Sequence, residues 1–83
     1  MSTTNQPIGM GDEYVEITDA VSSGLFSIIA NTQFATGDSQ PDKSLVGHLL
    51  STGAPRRYNI TSPKKLYVKQ SPSENIIVVV DED

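Results

Sequence analysis

His48 and Ser51 lie close together in HLLS, a base and a nucleophile of the types that acyl-transfer chemistry pairs. Closeness along the chain does not aim a hydroxyl at an imidazole, and no third group is placed to orient the ring. His48 in VGHLL therefore reads first as a strand residue, half-buried or facing a subunit contact. Carboxylates gather in two places, Asp12-Glu13 and Asp81-Glu82-Asp83. Brought together they would suit a hard cation such as Ca²⁺, but neither group sits in a ligand-loop pattern. Gly9-Met10-Gly11 has no strand before it and no helix after it, so it is not a phosphate loop. Asn59-Ile60-Thr61 is an N-glycosylation triplet, relevant only to a secreted chain. With no cysteine and one histidine, disulfides, thiolate sites and His-rich metal centres are excluded. The expectation is a protein without a catalytic set, a metal or a cofactor, and not an enzyme.

What remains is architecture. A chain of 83 residues makes at most one domain. A core this small usually needs a staple, and without disulfide or metal the staple is self-association or docking on a larger assembly. The net charge of −4 makes nucleic acid a poor partner. No apolar run is long enough to cross a bilayer, and MSTTNQP has neither the basic nor the apolar region of a secretory signal. No membrane partner is expected.

The chain divides into an N-terminal arm, residues 1–11, and one β-domain, residues 12–83. The arm is polar and without period, so it is either frayed or docked on a partner through Ile8 and Met10. EYVEIT, Glu13–Thr18, alternates as a strand, with Val15 and Ile17 on one face. A turn follows through Asp19-Ala20 and Ser22-Ser23-Gly24. Leu25–Asn31 is apolar on both faces and reads as a strand, with a short helix as the competitor. Gln33–Ser44 is a Gly, Asp, Ser and Pro-rich loop, with a brief strand at Phe34-Ala35. Leu45–Leu50 and Arg56–Ile60 are further strands. In the latter Tyr58 and Ile60 share one face, Arg57 and Asn59 the other. Thr61-Ser62-Pro63 breaks the pattern.

Lys64–Asp83 reads as a closing β-hairpin. Leu66 and Val68 point one way, Tyr67 and Lys69 the other. Ile76–Val80 does not alternate, and a strand apolar on both faces must be covered on both. The chain has few apolar residues left for the second face, so a neighbouring protein is expected as its lid. The fold class is all-β, a small antiparallel sandwich or barrel of about six short strands with an extended N-terminal arm.

Basic residues concentrate in Arg56, Arg57, Lys64, Lys65 and Lys69, and acids toward the two ends. Either they neutralise each other across neighbouring strands, or the basic strands of one subunit meet acidic edges of another. Candidate interface residues are Ile8, Met10, Arg56, Arg57, Tyr58, Tyr67, Ile77 and Val79. The tyrosines also admit a sugar-stacking role, although strand tyrosines more often belong to a core or an interface.

The order of segments resembles a group of small bacteriophage virion β-proteins. The matching stretches are the turn Val21–Gly24, the strand Leu25–Asn31, the Pro-Asp loop Gln40–Lys43 and Gly47–Leu50. They continue through Gly53–Pro55 and Tyr58–Thr61 to the closing Leu66–Val80. The resemblance implies a non-enzymatic virion component, foremost a capsid decoration (cement) protein that binds neighbouring major capsid subunits. A tail, collar or receptor-binding module touching a glycan is the alternative. It also implies location on the capsid surface after a soluble stage in the host cytoplasm. The partner would be the major capsid protein or another virion protein, with homo-oligomers expected and a trimer favoured over a dimer.

Overall fold

The computed structural model describes residues 2–18, 20–29, 31–61 and 63–82. Asp19 in the expected turn, Ala30 in the expected second strand, Ser62 ahead of Pro63, Asp83 among the terminal acids, and Met1 lie outside the described residues. Eight strands form: β1 (Ser2–Ile8), β2 (Tyr14–Glu16), β3 (Ser23–Ile28), β4 (Thr32–Gly37), β5 (His48–Leu50), β6 (Arg56–Asn59), β7 (Lys65–Lys69) and β8 (Ile76–Glu82). They make two antiparallel four-stranded sheets, ordered β1-β8-β3-β6 and β2-β7-β4-β5. The all-β class expected from alternation is observed, and of the two architectures expected, sandwich or barrel, it is the sandwich that forms.

The pairings are nested. The chain doubles back through the β4–β5 connection, giving β4·β5, β3·β6, β2·β7 and β1·β8 in turn. Two lateral pairings, β3·β8 and β4·β7, then roll this long ribbon into facing sheets. This is the connectivity of an eight-stranded jelly roll. Between the sheets lie Phe26, Ile28, Val78 and Val80 from one side and Leu50, Leu66 and Val68 from the other, all buried. The Phe26 and Phe34 rings meet edge to face across the gap, with centroids 5.1 Å apart.

Three expectations need correction. First, β7 and β8 are not a hairpin: β7 belongs to one sheet and β8 to the other. Leu66 and Val68 on β7 need the same apolar shelter as Ile76, Val78 and Val80 on β8. Facing sheets about 10 Å apart let each set cover the other. The linking segment is long enough to cross that gap, and Gln70 N–H donates to Glu13 O at 2.8 Å to hold it.

Second, the N-terminal segment is not an arm. Ser2–Ile8 pairs with β8 along its whole length, and Ile8 is buried beside Ile76. Pro7 is tolerated for a positional reason. Ile29 N–H donates to Ile77 O, so the odd-numbered residues of β8 bond to β3 and the even-numbered ones to β1. On β1 the odd residues Thr3, Asn5 and Pro7 thus turn their backbone to the open edge, where a missing N–H breaks no ladder bond. Gln6 seals that edge. Its Nε2 donates to Glu16 O at 2.9 Å, and its Oε1 accepts from Thr18 N–H at 3.1 Å.

Third, there are eight strands rather than six. β1 is one addition, and the brief strand at Phe34-Ala35 extends to the full Thr32–Gly37 of β4. The Leu45–Leu50 strand shrinks to His48–Leu50, because Leu45–Gly47 belongs to the preceding loop. Gly24 lets β3 approach β8 closely, since a Cβ there would run into the Asp81 carbonyl.

Candidate functional site

The two outer faces of the sandwich are treated differently. On the β2-β7-β4-β5 sheet, alternation aims Tyr14, Ala35 and Tyr67 outward, yet all three are buried as a small second cluster. The loop of residues 38–47 folds over them. Tyr14 Oη donates to Leu45 O at 2.8 Å, and Gln40 Nε2 donates to Tyr14 O at 2.7 Å. Lys69 Nζ donates to Lys43 O at 2.8 Å, and Gly47 N–H donates to Gln33 Oε1 at 2.9 Å. Asp42 fixes the turn by accepting from the Ser44 N–H and hydroxyl, each at 2.8 Å. Those bonds, the backbone one foremost, hold the Asp42 carboxyl below its ordinary value.

No such loop covers the β1-β8-β3-β6 sheet among the described residues. Register sets its outer face in rows. Thr3, Asp81, Leu25 and Arg57 stand side by side across the four strands. Asn5, Val79 and Ser27 form the next row, and Pro7, Ile77 and Ile29 the third. Leu25, Ile77 and Ile29 are 38%, 40% and 58% exposed, and Val79 is half-buried. A shallow depression of about 120 Å³ opens between Leu25, Val79 and Pro55. Arg57 and Asp81 are the only charged side chains on the strands of this face among the described residues. The Thr3 hydroxyl donates to the Asp81 carboxylate.

Of the eight candidate interface residues, this face brings together Arg57, Ile77 and Val79. Ile8, Tyr58 and Tyr67 are instead within the protomer, at 3%, 4% and 4% exposure, and present no side chain to a partner. Met10 is exposed in the β1–β2 connection. Arg56 stands at the sheet edge, its guanidinium 5.2 Å from the Phe34 centroid and its Nη1 donating to Leu49 O. Leu25 and Ile29, outside those eight, stand on the same face beside Asp81 and Ile77. Their signal was the same double-sided apolarity in LFSII that marked β8. A second apolar patch lies at the start of the β5 edge, where Val46 and Leu49 are 81% and 74% exposed.

The chemistry-bearing residues stay apart. His48 and Ser51 are both exposed and share no hydrogen bond among the described residues, and the His48 ring lies 5.3 Å from the Phe34 ring. Asp12 pairs with Lys43 at 3.6 Å, near the Ile8–Ile76 end of β1 and β8. Asp81 and Glu82 occupy the opposite end. No group of three potential metal ligands occurs among the described residues. Across neighbouring strands Lys65 Nζ lies 3.5 Å from Glu16. Comparison with protein-family models, with curated proteins and with solved structures gives no match.

Proposed function

We propose that this chain is a non-enzymatic structural protein that docks on other protein subunits through the outer face of its β1-β8-β3-β6 sheet. The observation that carries this reading is the contrast between the faces: one is roofed by its own loop, the other holds Leu25, Ile29 and Ile77 exposed around a half-buried Val79. Large apolar side chains grouped on one face and poor in charge are what a partner surface needs. Each such side chain taken from water contributes roughly 1–3 kcal/mol, and repeated attachment on a particle multiplies weak contacts.

The setting we propose is a bacteriophage virion, with a capsid decoration role foremost and a tail or collar position second. The segment resemblance supports it. So does the connectivity, because jelly rolls build many viral coat proteins, although they also build lectins and cupins, and fold alone does not settle function. The glycan-binding alternative loses ground, since the rings of Tyr14, Tyr58 and Tyr67 are all covered and offer no face for stacking.

The test is gradient purification of virus particles made with the wild-type chain and with Ile77→Asp. The reading expects wild type to band with particles and the variant to be lost. Absence of the wild-type chain from the particle band contradicts it.

A further inference from the structure

We infer that the outer face of the β1-β8-β3-β6 sheet takes a second copy of this chain, as an isologous dimer. The inference rests on the reading of this face as a docking surface and names its occupant, so that the dimer is what meets a particle and Ile77→Asp loses the particle by breaking the dimer. The argument is charge complementarity. In the row Thr3–Asp81–Leu25–Arg57, the acid and the base stand one strand either side of Leu25. Adjacent strands are about 4.8 Å apart, so the two charges flank Leu25 symmetrically. A two-fold axis running along β3, midway between two stacked faces, exchanges the β8 and β6 positions. It lays Arg57 of each copy over Asp81 of the other and brings the two Leu25 side chains together.

The rest of the face tolerates the same operation. The following rows, Asn5–Val79–Ser27 and Pro7–Ile77–Ile29, hold no charge that the axis would set against its like. Ile29 meets its own equivalent across the axis. Stacked sheets pack with strands nearly aligned, as this axis requires. An unrelated partner would need its own matching positive-apolar-negative row, whereas a second copy supplies one by symmetry.

Sedimentation and light scattering across a concentration series, with native mass spectrometry, provide the test. Wild type forms dimers. Arg57→Asp alone and Asp81→Arg alone each place like charges together at both contacts and weaken self-association roughly 10- to 100-fold. Their equimolar mixture restores association as a heterodimer, because each copy then supplies the sign the other lacks. Ile29→Asp, at an exposed position, gives monomers with an unchanged circular dichroism spectrum. A trimer, a wild type that stays monomeric, single swaps that dimerise normally, or a mixture that stays monomeric would overturn the inference. A monomer that still bands with particles, and loses them on Ile77→Asp, rejects the dimer and leaves the docking function standing. A dimer absent from particles does the reverse.

Discussion

Val78 and Ile77 are neighbours on β8 that point to opposite faces, and truncating each to alanine separates the core from the docking surface. Val78 is fully buried at 0% exposure. Val78→Ala removes two carbons, worth about 0.8 kcal/mol each in transfer free energy. The space left is on the order of 50 Å³, and at about 24 cal/mol per Å³ an unrelaxed cavity adds roughly 1 kcal/mol. The total is about 2–3 kcal/mol, or a fall in Tm of roughly 10–20 °C for a domain of this size. Ile77→Ala removes three carbons, but from a side chain 40% exposed, where solvent fills the space and no cavity forms. Its cost in the isolated chain is about 1 kcal/mol. The larger deletion is therefore the milder one. Urea and thermal melts followed by far-ultraviolet circular dichroism, in dilution where chains are single, measure both. A Val78→Ala cost equal to or below that of Ile77→Ala would show that the two faces of β8 have been assigned wrongly.

Deleting residues 1–8 removes the neighbour of β8 and the buried Ile8. It is expected to cost at least roughly 2 kcal/mol and to lower the melting temperature strongly; unchanged melting would return the segment to a dispensable arm. Gly47→Ala places a Cβ 2.5 Å from Phe34 O and 2.9 Å from Tyr14 Oη, so the 38–47 loop should lift. Faster amide exchange at position 47 and at Leu45 reports it, and unaltered exchange argues against the roof. Asp42 has a folded pKa below its unfolded value, so its contribution is complete above the ordinary 3.8 and is lost as pH falls through the lowered value. The protection factor of the Ser44 amide should fall on acidification below that range in wild type, and show no such acid step in Asp42→Asn.

Strand identity was legible wherever one face is apolar and the other polar. Arg57 and Asn59 lie outward and Tyr58 and Ile60 inward, as alternation requires. The doubled apolarity of Ile76–Val80 led to the expectation of a cover on both faces, and in the structure only the face of Ile76, Val78 and Val80 is buried. Its outer side remains part open at Ile77. Sheet membership was not legible, because the pattern that makes β7 and β8 pair side by side is the same one that lets them face each other. β1 was hidden because its inward residues Thr4 and Gln6 are polar, and Gln6 spends its amide on Glu16 and Thr18 rather than packing. Pro7 looked like a strand breaker, and only the register shows that its missing donor points off the sheet. Tyr67 illustrates the opposite difficulty. Alternation marks it as outward, and burial comes from a loop distant in sequence that the pattern of β7 cannot reveal.

The docking claim is tested most directly by a photo-cross-linking amino acid placed at position 77, on the open face, and at position 39, in the exposed loop over the other sheet. In assembled particles, position 77 should cross-link to a second protein chain while position 39 gives little or none. Cross-linking from position 39 alone, with position 77 silent, would contradict the account.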